Sequence, residues 1–167
     1  MGKFKTKILV VIGFLGAILM FDFLIKNHVN SKLTETCLTK DFQRKFDKLQ
    51  ESDNNTLFDF NKLSKCADWD KILIIEAPYI FRAPVYLTSG VLLPNYDYGK
   101  MTEGTYLLFF LEGNTPIGKP AKFYRPDFIF SNNFNRMQYL KVDKKNAKFE
   151  YKVNENTYSK LWTLELK

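Results

Sequence analysis

Three acidic residues, Asp68, Asp70 and Glu76, are the part of this sequence best suited to carry out chemistry. Asp68 and Asp70 stand two positions apart, so on an extended strand they share a face, as the carboxylates of a general acid/base pair must. Glu76 follows an apolar run, and Tyr79 and Arg82 lie close behind it with groups suited to a glycan or an anionic lipid head group. A structural reading competes with this one. In it, both aspartates shape the turn into a strand while Trp69 packs beneath. We prefer the structural reading, because spacing alone does not fix a carboxylate separation.

The other reactive types are sparse. His28 is the single histidine and has no second ligand near it in sequence, so no metal site is expected. No glycine-flanked nucleophilic serine, H-E-x-x-H pair, phosphate-binding loop, dinucleotide fingerprint or C-x-x-C occurs. We therefore assign no catalytic, cofactor-binding or metal-ligating residue and expect a chain that is not an enzyme. Cys37 and Cys66 would close a loop of about thirty residues by an intramolecular disulfide. Free thiols or an intermolecular link are the alternatives. At 100° per residue Cys37 lies roughly 135° from the centre of the apolar stripe of its helix, a position that suits a bridge better than a core contact.

That helix is expected over residues 33–52, where Leu38, Phe42, Phe46 and Leu49 recur on one face, with Ser31 or Thr34 as its cap. Beyond it the signals are mostly strand. Residues 57–60 open a short one, and 71–75 and 105–111 are unbroken apolar runs of the kind buried on both faces. Residues 121–124 should return antiparallel to 105–111, and 138–142 form a further strand before the turn at 143–146. Phe149, Tyr151 and Val153 alternate with charged residues, as do Trp162, Leu164 and Leu166 with polar ones, which predicts an antiparallel hairpin. Pro78 and Pro84 break the segment between the two apolar runs. The fold class is thus α+β. An N-terminal transmembrane helix and one amphipathic helix precede six or so strands, arranged as a mostly antiparallel sheet or a partly open barrel.

The transmembrane expectation rests on residues 8–25, which carry one charge, Asp22, in eighteen positions. At 1.5 Å per residue a helix of that length reaches roughly 27 Å, close to the hydrocarbon thickness of a bilayer. Lys3, Lys5 and Lys7 precede the run, and Lys26 and Lys32 follow it, which favours a cytoplasmic amino terminus. The run is long for a cleaved signal, no small-x-small site follows Ile25, and Thr34-Glu35-Thr36 is no lipobox for Cys37. Residues 1–32 therefore read as a cytoplasmic stub with an uncleaved signal anchor. Residues 33–167 read as one exported domain, on the periplasmic or extracellular side of a bacterial inner membrane.

The anchor also reframes the charge. Of a net +7, residues 1–32 hold five lysines and one aspartate. Residues 33–114 carry nine basic and twelve acidic side chains, and residues 115–167 eleven and five. This is a mild polarity rather than the concentrated basic stripe of a nucleic-acid binder, and no nucleic-acid partner is expected. Apolar residues make up 46% of the chain, enough to offset the entropy of folding and exclude disorder. Tyr79, Tyr86, Tyr96, Tyr98 and Tyr106 cluster in the Pro- and Gly-containing stretch 78–106, and Arg125 sits among aromatics in Phe123-Tyr124-Arg125-Pro126. Tyrosine offers contact area at low entropic cost, so Tyr79, Arg82, Tyr86, Tyr96, Tyr98 and Arg125 form the candidate protein interface.

Cys66-Ala67-Asp68-Trp69-Asp70-Lys71, the apolar strand after it and Pro78-Tyr79 resemble a loose group of small bacterial envelope proteins. These have an amino-terminal anchor or lipoprotein signal, a W-D-K before a buried strand and a P-Y after it. Strand 106–111 and its Gly113-Asn114 turn are similarly placed, so the likeness spans residues 57–130. It implies a compact β-rich envelope domain and transfers no catalytic residue. The expected function is a membrane-anchored binding protein, of immunity or inhibitor type, that docks a protein partner at the outer face of the inner membrane. An envelope enzyme using Asp68, Asp70 or Glu76 is the alternative, as is a structural subunit of a membrane complex.

Overall fold

The computed structural model describes residues 34–51, 55–76, 82–94, 101–102, 104–124, 128–130, 139–154 and 161–166, with Gly13, Gly16 and Met20. Met1–Leu33 with Pro94–Tyr96 form one compact unit, and Thr34–Leu93 with Asp97–Lys167 form another. In the first unit Gly13, Gly16 and Met20 are helical. The rest of the expected 8–25 span, with Asp22, and His28 beyond it lie outside the described residues. Among the described residues no helix is long and apolar enough to cross a membrane.

The second unit begins with α1, Cys37–Gln50. Its start is four residues beyond the expected one, and the cap is Thr36, whose hydroxyl accepts the Thr39 N–H at 3.2 Å. The carbonyl of Thr34 is engaged elsewhere, accepting the Lys119 N–H at 3.0 Å, which holds that residue against the 117–119 loop instead of in a helical turn. The approach there is close. A Cβ on Gly118, which has φ +69°, would collide with the Thr34 carbonyl and the Thr36 methyl. The stripe Leu38, Phe42, Phe46 and Leu49 is buried, as its spacing requires.

Nine strands follow among the described residues: β1 Thr56–Asp59, β2 Lys71–Glu76, β3 Thr105–Glu112, β4 Thr115–Pro116, β5 Ala121–Tyr124, β6 Phe128–Phe130, β7 Tyr139–Asp143, β8 Lys148–Asn154 and β9 Leu161–Leu166. One sheet has the order β1-β8-β9-β6. The other runs β4-β3-β2-β7, with β5 also paired to β3. Pairing is antiparallel except for β6 and β9, which run parallel. Among the described residues both sheets end in edge strands, so the architecture is α+β with mostly antiparallel pairing, open rather than a closed barrel. The expected hairpin is present, with Tyr151 opposite Leu164 and Val153 opposite Trp162. The return of 121–124 onto β3 is present too.

The unbroken apolar text of β2 and β3 has the expected result, burial on both faces. On one face Ile72, Ile74, Tyr106, Leu108 and Phe110 join the α1 stripe, Phe58, Phe60, Trp69, Phe149 and Tyr151 in a single cluster. Its rings interlock: Phe42 stacks on Phe60 at 5.6 Å, and Phe149 meets Phe60 edge-on at 5.4 Å. On the other face Leu73, Ile75, Leu107, Phe109 and Leu111 are buried as well, and Val85, Val91, Leu93 and Met101 are also withdrawn from solvent.

One expectation fails in this region. The stretch broken by Pro78 and Pro84 contains a helix, α2, Arg82–Ser89. Pro84 is its third residue, where the backbone N–H has no intrahelical acceptor to lose. A proline in a first turn therefore reads as a break in sequence while being compatible with a helix.

Candidate docking surface

The acidic corner resolves into a structural joint. Asp70 accepts the Gly113 N–H at 2.9 Å through Oδ1 and the Lys71 ammonium at 2.8 Å through Oδ2. The Lys71 hydrogen bond, opposed by burial and helped by the Gly113 N–H, holds the Asp70 carboxyl below its ordinary range. Its backbone is committed too, since the Asp70 N–H donates to the Leu111 carbonyl and the Lys144 N–H to the Asp70 carbonyl. Trp69 is buried, edge-on to Phe110 at 5.4 Å, with the Lys144 ammonium 4.5 Å above its ring. Asp68 is exposed, and Glu76 stands at the opposite end of β2, about 20 Å along the strand from Asp70 at 3.3 Å per residue. The strand thus separates Asp70 from Glu76 rather than bringing them together.

Cys37 and Cys66 are joined by a disulfide, their Cα atoms 6.4 Å apart. Beside it lies a group that sequence reasoning missed. Asp41, 5% exposed, accepts the Ser64 N–H at 2.8 Å and faces the Arg44 guanidinium and the Lys45 ammonium, the latter at 3.1 Å. Burial works against its ionisation. The Ser64, Lys45 and Arg44 hydrogen bonds outweigh it and hold the carboxyl at about 2. The signal was present in the sequence, an acid with basic residues three and four positions later.

Because the folded value lies below the unfolded 3.8, this carboxylate stabilises the fold fully above about pH 4 and stops doing so as pH falls through 2. With Arg44 open to solvent the effect is discounted to about 1–2 kcal/mol. Urea midpoints measured between pH 5 and pH 2 should fall more steeply for the parent chain than for Asp41→Asn. Parallel profiles would show that Asp41 is not held as described.

Of the candidate interface residues, Tyr79, Tyr96, Tyr98 and Arg125 lie outside the described residues. Arg82 opens α2, though its side chain is outside them. Tyr106 is 2% exposed and stacks on Phe123 at 5.4 Å, so it belongs to the core and not to a surface. Alternation along β3 puts it on the same face as Leu108 and Phe110. Tyr86 is on the surface, and beside it Leu87 is 80% exposed while Val85 is buried.

This helix face is firmly seated. The Gly90 N–H donates to the Tyr86 carbonyl at 2.8 Å, and Gly90 has φ +72°, the left-handed geometry that closes a helix. Ser89 donates its hydroxyl to the Val85 carbonyl at 2.6 Å and accepts the Val91 N–H at 3.0 Å. Lys141, which sits opposite Leu73 in the register, donates to the Ser89 carbonyl at 2.8 Å and to Asn114 Oδ1 at 2.7 Å. A cation at the carbonyl end of α2 complements the helix dipole. Burial and the nearby Lys71 push the Lys141 ammonium below its ordinary pKa, against the pull of Asp143 and Asp70. The arrangement presents two apolar side chains on a helix fixed at its C-terminal end. That suits binding by contact. Comparison with protein-family models, characterised proteins and solved structures finds no match to the chain.

Proposed function

We propose that the chain is a bacterial envelope protein whose exported domain docks a protein partner, held at the inner membrane by residues 8–25. The observation that carries the docking reading is the exposed Tyr86–Leu87 pair on α2, whose C-terminal end is fixed by Gly90 and Lys141. The Cys37–Cys66 disulfide supports the compartment, since such bonds persist in oxidising surroundings. The W-D-K and P-Y likeness to small envelope proteins agrees with it. Within this reading the role is immunity: the domain intercepts a toxin at the membrane where the toxin acts, and the tether raises its effective concentration.

A photo-crosslinking amino acid at Leu87 of the full-length chain, expressed in its own membrane, tests the proposal. One specific adduct is expected, and Tyr86→Asp should abolish it while leaving the melting temperature of the chain unchanged. A chain that gives no specific adduct from that position, or an adduct indifferent to Tyr86→Asp, would overturn the docking reading.

A further inference from the structure

A second surface lies away from α2 and does not depend on the reading above. Between α1 and β1 is an open groove of ≈ 440 Å³, lined by Lys45, Lys48, Leu49, Thr56, Leu57, Phe58, Asp59 and Lys62. Two of its properties are chemical. The first is charge. Three lysines face one acid, and that acid is occupied, because the Asp59 carboxylate accepts both the backbone and the side-chain N–H of Asn61. Lys45 is committed to Asp41 and to the Lys62 carbonyl. Lys48 and Lys62 are exposed and make no ion pair or side-chain hydrogen bond among the described residues.

The second property is an open backbone edge. Among the described residues β1 is the terminal strand of its sheet. The β1–β8 register aligns Thr56 with Tyr151 and Phe58 with Phe149, and it continues to Phe60, whose N–H donates to the Ala147 carbonyl at 3.0 Å. Alternation then directs the backbone groups of Thr56, Phe58 and Phe60 toward β8, and those of Leu57 and Asp59 away from it. The side chain of Leu57 is exposed at 52%. The Asp59 carbonyl accepts the first bond of the turn that follows, Phe60–Lys62, so among the described residues the Leu57 N–H and C=O and the Asp59 N–H remain as a template for a further strand.

We infer that this groove binds an extended acidic peptide segment, which adds to β1 through the backbone of Leu57 and Asp59 and sets its carboxylates against Lys48 and Lys62. Strand addition supplies the main-chain pairing, and the lysines select the sign of the side chains. A basic or helical segment satisfies neither feature.

The probe is a fluorescein-labelled octapeptide alternating Glu with Thr, with the Lys/Thr counterpart as control, titrated by polarisation against the full-length chain in detergent micelles. The acidic peptide should bind the parent chain and the basic one should not. Lys48→Glu with Lys62→Glu should weaken binding about tenfold or more, and raised salt should weaken it for the parent. Leu57→Pro removes an outward N–H without touching the β8 ladder and should weaken it as well. If that variant melts early, the charge reversal alone decides.

Equal binding to the parent and the charge-reversed chain would overturn the inference, as would no binding of the acidic peptide. Binding of anionic phosphatidylglycerol vesicles through the same two lysines, with the peptide inert, would overturn it in favour of a lipid surface. The Leu87 crosslink of the charge-reversed chain should stay unchanged, so failure here and failure of the α2 docking reading are distinguishable.

Discussion

Replacing both Cys37 and Cys66 with serine should destabilise the unit that begins at Thr34 by about 3–4 kcal/mol, the chain-entropy estimate for a loop of about thirty residues. The bridge spans a sequence separation of 29 and joins the first residue of α1 to the turn before β2, two elements with no shared strand ladder. Once it is gone, Asp41 remains as the tie between the same helix and the same loop, through its bond to the Ser64 N–H. Urea unfolding of the double-serine chain, and of the parent in reductant, measures the loss. A difference below about 1 kcal/mol in both would mean that the unfolded chain is already restricted there, and the bridge would then not be a principal source of stability.

A loss of similar size is expected from Phe60→Ala. Phe60 is 3% exposed, and its ring meets those of Phe58 at 4.9 Å, Phe149 at 5.4 Å, Phe42 at 5.6 Å and Phe110 at 6.4 Å. Those partners come from β1, β8, α1 and β3, so one side chain joins both sheets to the helix. Removing it forfeits transfer energy and leaves a cavity walled by four elements, at a cost of about 3–5 kcal/mol. Phe60→Leu should recover most of that, since it refills much of the volume. Leu87→Ala, at an exposed position, should stay within about 0.5 kcal/mol of the parent. Equilibrium unfolding of the three variants checks the ranking, and a Phe60→Ala loss near that of Leu87→Ala would contradict the packing described.

Much of this packing was legible in the sequence because it is periodic. The α1 stripe announces one buried face, the runs at 71–75 and 105–111 announce two, and the alternation around Tyr151 and Leu164 announces a hairpin. The parts that escaped have no local period. β4 has two residues and β6 three, too short for alternation to register, and the parallel pairing of β6 with β9 leaves no turn to read. α2 escapes because Pro84 reads as a breaker in the sequence although a first-turn position tolerates it. Tyr106 shares the tyrosine-rich composition of its neighbours, although its place in β3 turns it inward. In the acidic corner both readings fitted the spacing of Asp68 and Asp70. The Gly113 N–H that engages Asp70 comes from 43 residues further on, a partner that spacing does not reveal.

The pairing of Phe58 with Phe149 bears on how the molecule is made. β1 leaves the ribosome early, but the strand that receives it is encoded some ninety residues later, and β9 later still. Both sulfurs, in contrast, belong to the first half of the chain. The oxidative step can therefore be finished while the sheet beside it is unbuilt, and translation arrested before β8 would leave a cross-linked helix in place with β1 lacking its pairing strand and Phe60 lacking the Phe149 ring. A product cut short there would carry an unpaired strand beside exposed aromatic rings, the combination that makes an incomplete fold prone to aggregate.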